Sequence, residues 1–193
     1  MDLREIRAEA QLILDETIEL RRRIHRHPEL GLTLPRTQAA VLEALDGLGL
    51  EVRTGQRTTS VVARLRGARP GPTILLRGDM DALPMPEDTG LPFASEVPNA
   101  MHACGHDGHT AMLVGAARLL ARRRDSLAGS VLFMFQPGEE GYHGARVMIE
   151  EGLLDGDEAG ELPERLGGLG MGLRDDDRRA LVQGPRDVAV AWH

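Results

Sequence analysis

Between Met101 and Thr110 the chain carries three histidines, a cysteine and an aspartate, a density that packing alone does not explain. In extended backbone Cys104 and His106 project to the same side, and Gly105 between them lets the chain pass close to whatever they hold. A thiolate and an imidazole together suit zinc and other borderline divalent metals. Asp107 and His109 could orient such ligands or contact a substrate. The competing reading is a helix N-terminus capped by Asp107, with incidental histidines.

Two further segments carry acids at informative spacings. Phe135-Gln136-Pro137-Gly138-Glu139-Glu140-Gly141 sets two adjacent carboxylates after an apolar run. Adjacent side chains point apart, so one carboxylate can bind a metal while its neighbour takes a proton from water. Taken alone, the pair is also consistent with a solvated acidic turn. Arg77 to Pro84 places Asp79 and Asp81 at alternate positions, aimed to one side, where one could fix a ligating histidine in its tautomer or tune a base. His25 and His27 have metal-like spacing too, but read as helix-end residues near a negative dipole end. His143 is a weaker candidate for substrate contact, against an ordinary helix-start role.

Elements with regular patterns surround these loops. Apolar residues from Leu3 to Leu20 recur at helical spacing, predicting a first helix that ends near His27-Pro28. A second helix is expected over Thr37 to Leu48, then strands at Leu50–Thr54, Ser60–Arg66 and Thr73–Leu76. A long loop from Arg77 to about Ala103 follows, of the kind that wraps a site. Ala111–Arg124 is a predicted helix, Val131–Phe135 a strand buried on both sides, and Gly144–Glu151 a helix. This alternation predicts an α/β fold with a mixed, mostly parallel sheet flanked by helices, its site at strand ends.

The 193 residues allow one sizeable core. A net charge of −7, with 23 basic residues that are all arginine, lacks the basic stripe a nucleic-acid partner requires. The N-terminus has neither a signal-peptide core nor a membrane-length apolar run, so a cytoplasmic protein without a membrane partner is expected. The single Cys104 cannot form an internal disulfide. A nucleophilic cysteine is the poorer alternative, because a nucleophile and its base normally come from separate segments.

Four separated motifs, at 23–31, 77–84, 102–109 and 136–141, occur in the order and spacing of bacterial hippurate hydrolases and N-acyl-amino-acid amidohydrolases. The chain therefore resembles that family, part of the wider aminoacylase and carboxypeptidase G-like metallopeptidases, over about residues 1–155. The resemblance implies a zinc-peptidase-like catalytic domain with two divalent ions, manganese, zinc, nickel or cobalt. Cys104, His106 and Glu140 would be metal ligands, Glu139 the general base, and Asp81 the acid supporting the metal site. The implied substrate is a small N-acyl amino acid, and full-length relatives are expected to be homo-oligomers.

Beyond about Asp155 the resemblance stops. Where the family carries a further ligand in an Ala-Leu-His-Val-like strand, Leu166–Leu173 is Gly-rich, and no histidine occurs between His143 and His193. Residues 156–193 read as a disordered or out-of-frame tail, with His193 a coincidence and the family's lid and dimerisation domain absent. On that reading the catalytic domain is incomplete, apolar strand edges beside Val131–Phe135 are exposed, and the chain alone is nearly inactive.

Overall fold

The computed structural model describes residues 3–154 and 188–191. In chain order these form α1 (Leu3–Leu12), α2 (Leu14–Arg26), α3 (Pro35–Leu45), β1 (Glu51–Thr54), β2 (Val61–Arg66), β3 (Arg69–Asp79), α4 (His106–Ala121), a 3-10 turn (Arg124–Ser126), β4 (Ala128–Gln136), α5 (Gly144–Glu150) and β5 (Val188–Ala191). The sheet order is β1-β2-β4-β3-β5. β1/β2 and β2/β4 pair antiparallel, while β4/β3 and β3/β5 pair parallel. The α/β class with a mixed sheet is as expected, with the two orientations equally represented.

β4 explains the layering. Residues alternate across a strand, so Val131, Phe133 and Phe135 enter one core with Val61, Ala63 and Leu65 of β2 and with residues of α3 and α4. Leu132 and Met134 enter a second core on the other face, with Val62, Leu75, Ala145 and Met148. A strand with a core on each face has to be apolar where it crosses them, and β4 is so from Val131 to Phe135, with polar Ser130 and Gln136 flanking that run.

Several boundaries shift for local reasons. The first helix is two, because Ile13 leaves helical geometry at φ −104°, ψ 4°. Its carbonyl accepts both the Thr17 N–H (3.0 Å) and the Thr17 hydroxyl (2.8 Å), a side-chain competition that disturbs helices. α3 begins earlier than expected because Pro35 sits at its first positions, where the missing N–H costs nothing. The Glu29 carboxylate then accepts the Arg36 and Thr37 amides at 3.1 and 2.9 Å. β3 runs to Asp79 and is irregular between Arg69 and Thr73.

Val131–Phe135 is not an exposed edge. β2 and β3 bracket β4, so both of its neighbours lie within this chain. The tail expected to be disordered falls outside the described residues, His193 included, except for β5, whose backbone pairs with Thr73–Leu76 of β3. Among the described residues no helix is long and apolar enough to cross a membrane.

Candidate metal centre

β3 and β4 are adjacent and parallel, with Asp79 opposite Gln136 at the last paired step. Both therefore deliver the segments that follow them to one end of the sheet, Asp79–Asp81 from the first and Glu139–Glu140 from the second. The first turn of α4 closes over the same end. Its approach is tight: a Cβ on Gly78 would lie 3.0 Å from the His109 carbonyl oxygen, and the Thr110 hydroxyl donates to the Asp79 carbonyl at 2.9 Å. A side chain at position 78 would press on that carbonyl, and glycine leaves the room for it.

The helix starts at His106, five residues earlier than the periodicity predicts, so His106, Asp107 and His109 belong to α4 rather than to a loop. Apolar spacing becomes helical only at Ala111, because the first turn is occupied by residues with polar work. Cys104 and His106 accordingly do not converge along an extended strand. Gly105, at φ +80°, turns the chain left-handed, a region that glycine enters at little cost.

His106 lies between the two acids. Its Nδ1–H donates to the Asp81 carbonyl oxygen at 2.7 Å, which leaves the Nε2 lone pair for a metal. Nε2 lies 3.6 Å from Asp79 Oδ2 and 3.9 Å from Glu140 Oε1. Burial would depress the His106 pKa, but the Asp81 contact and the nearby Asp79 and Asp81 charges raise it. One donor atom each from Cys104, His106 and Glu140 lies within 4.8 Å of the others, and the same holds for Asp79, His106 and His109. Each set combines nitrogen with anionic donors, chemistry that fits a divalent ion. In the second set His109 Nδ1 and the Arg77 guanidinium already lie 2.7 and 3.1 Å from Asp79. Burial raises the Asp79 pKa, yet those contacts hold it below the ordinary carboxylate range.

The remaining candidates separate by environment. Asp81 is buried, and its two oxygens accept the backbone N–H groups of Glu139 (2.9 Å) and Glu140 (3.0 Å). Glu139 is partly buried, and burial first, then Asp79 and Glu140, raises its pKa against the pull of Arg77. The Cys104 thiol is exposed and pushed up to about 11, chiefly by its hydrogen bond with Glu140, which disfavours the alternative of a cysteine nucleophile. Asp107 is fully buried and turned toward α2, where its Oδ2 meets Arg21 and His25, so it has no surface for substrate. His109 is partly exposed and stacks on His106 with centroids 5.7 Å apart. His143 is exposed at the N-cap of α5 with φ +54° and belongs to neither donor set.

Sequence reasoning passed over two residues. His25, expected to be only a helix end, is buried between Asp107 and Glu87. His102 is also buried, and burial lowers its pKa to about 4. Neither departs from its pattern in a way that spacing alone could register.

A parallel seam with metal-type donors converging at its carboxyl end is the framework of a candidate metal centre in an α/β fold. The chain belongs to Peptidase family M20/M25/M40, whose profile matches residues 75–176. It is 47% identical over 160 residues to thermostable carboxypeptidase 1 of Saccharolobus solfataricus, covering 81% of this chain and 41% of that protein. It is 42% identical over 157 residues to an N-acyl-L-amino acid amidohydrolase of Geobacillus stearothermophilus, covering 81% of this chain and 42% of that protein. A Bacillus subtilis crystal structure described as a dinuclear metal-binding peptidase of the M20 family superposes with a TM-score of 0.72 at 44% identity, covering 76% of this chain and 41% of the other. The chain thus spans about two fifths of the length of these relatives.

Proposed function

We propose that this chain is the N-terminal part of a two-metal amidohydrolase that cleaves the amide bond of N-acyl amino acids, hippurate-like substrates among them. The observation that carries the reading is the convergence of Cys104, His106 and Glu140 on one point, with Glu139 adjacent. The relative from Geobacillus stearothermophilus supports the substrate class. The Saccharolobus solfataricus relative favours a second reading, in which the same chemistry removes a C-terminal residue from a peptide.

Cys104, His106 and Glu140 would hold the metal, manganese, zinc, nickel or cobalt. Divalent ions bound there would supply Lewis acidity, polarising the scissile carbonyl and making water more acidic. Glu139 takes the proton from the attacking water as the new carbon–oxygen bond forms. It returns that proton to the amide nitrogen as the carbon–nitrogen bond breaks, releasing a carboxylic acid and an amine. A carboxylate whose pKa is raised by burial is better matched to this exchange than a solvated one. Asp81 assists indirectly by holding the Glu139–Glu140 backbone and His106.

Metal content and hippurate hydrolysis of the purified chain, beside Glu139→Gln, test this. The expected outcome is metal retained by both proteins, with any turnover of the unaltered chain lost in the variant. Turnover that survives Glu139→Gln would refute the assignment of the base. Metal bound without turnover in either would mark a metal-binding piece whose activity needs the rest of the enzyme.

A further inference from the structure

Behind the donor cluster, on the side of α4 that faces α2, lies a buried polar tie. Asp107 follows the ligand His106 directly in the first turn of α4, and its carboxylate is completely buried. Oδ2 receives Arg21 Nε at 2.9 Å and lies 2.8 Å from His25 Nδ1. Oδ1 has no hydrogen-bond partner among the described residues. The orientation of Asp107 therefore rests on Arg21 and His25, both from α2 and more than eighty positions earlier in the chain.

The two donors are unequal. Arg21 is about half exposed, so water partly screens its side of the pair and its long side chain is less fixed. His25 is buried, and its second nitrogen lies 3.2 Å from Glu87 Oε1. With carboxylates at both nitrogens the ring cannot rotate, and the edge-to-face contact with Phe93, at 5.4 Å, fixes its plane. A buried carboxylate that loses its main donor seeks another partner. Asp107 could find one only by turning the first helical turn, and His106 with it.

We infer that His25 is a positioning residue for the metal centre: through Asp107 it sets the direction of His106 and the spacing of His106 from Cys104. The inference rests on the proposed metal-binding reading and extends it to α2, which contributes no metal ligand. His25 touches no donor atom of the Cys104, His106 and Glu140 set, so its effect is on affinity and geometry rather than on chemistry.

The test is a cobalt titration of the full chain, read by the thiolate-to-cobalt absorption that Cys104 supplies, for the unaltered protein, His25→Asn and His25→Gln. The asparagine amide can reproduce the Nδ1 contact with Asp107 but not the contact with Glu87. Glutamine reproduces the second and loses the first. His25→Asn should match the unaltered protein in affinity and spectrum. His25→Gln should bind about tenfold more weakly, with a shifted thiolate band, although both variants melt at similar temperatures. Equal affinities in all three, equal losses in both variants that follow their melting temperatures, or no cobalt binding by the unaltered chain overturns the inference. Hippurate turnover is measured alongside: cobalt bound by the unaltered chain without hydrolysis counts against the proposed activity and leaves the positioning role intact.

Discussion

A carboxylate whose two oxygens are taken by the consecutive amides of Glu139 and Glu140 is poorly placed to carry protons. Asp81 is such a group, and its contribution is to hold the Glu139–Glu140 turn in place. In Asp81→Asn one oxygen becomes an N–H directed at another N–H, leaving a buried amide unpaired. The expected loss is about 1–3 kcal/mol of stability, measured by urea denaturation, together with weaker metal binding. An unchanged midpoint would show that the turn holds itself. The alternation of Asp79 and Asp81 was legible in the sequence, and the structure brings both acids to His106. Their division was not, because it depends on backbone groups of a segment nearly sixty residues away that no side-chain pattern announces. Residue type and spacing single out Cys104 and His106, whereas the Glu139–Glu140 pair alone reads equally as an acidic turn and is tied to them by the family resemblance. The structure brings donor atoms of Cys104, His106 and Glu140 within 4.8 Å of one another.

At the scale of elements, reading worked where packing decides and failed where capping does. α5 falls within one residue of its expected span, and the apolar run Val131–Phe135 is the centre of β4, which backbone pairing extends to Ala128 and Gln136. Apolar periodicity misses the start of α4, and only the competing reading of a helix N-terminus at Asp107 comes near it, since the first turn carries polar side chains tied to other segments instead of core residues. The 80–105 segment is held similarly: Leu83 and Met101 form a two-way bridge, and Glu87 accepts the Ser95 amide and the Thr89 hydroxyl while facing His25. Burial would raise the Glu87 pKa, but these partners bring it below its ordinary value. A lowered folded-state pKa gives stability that is complete above the unfolded value of about 4.3 and disappears as pH falls through the folded one. Glu87→Gln should therefore flatten the acid limb of a stability–pH profile below about pH 4.3 and leave the alkaline limb unchanged. Parallel curves for the two proteins across that range would refute the role given to Glu87.

For the molecule as a whole, the donors come from segments near residues 79, 104 and 139, joined only through the fold. An ion that gathers them should stabilise the native state by mass action, by about 2.7 kcal/mol at a hundredfold excess over its Kd. Thermal melts with saturating zinc or manganese should shift upward, and a chelator should reverse the shift. Melts indifferent to both metals would remove the basis for a metal site. The class and layering followed from composition and period, whereas the order of strands did not. Nothing local in Val131–Phe135 tells whether its neighbours are β2 and β3 or strands from elsewhere.

That order gives the site an uneven resistance to opening. β4 is bonded on both sides along most of its length, so releasing its amides means rupturing two ladders at once, an event close to global unfolding. The turns that carry the donors hang from the end of this most protected seam. The points from which they spring are therefore the last to move when the sheet opens.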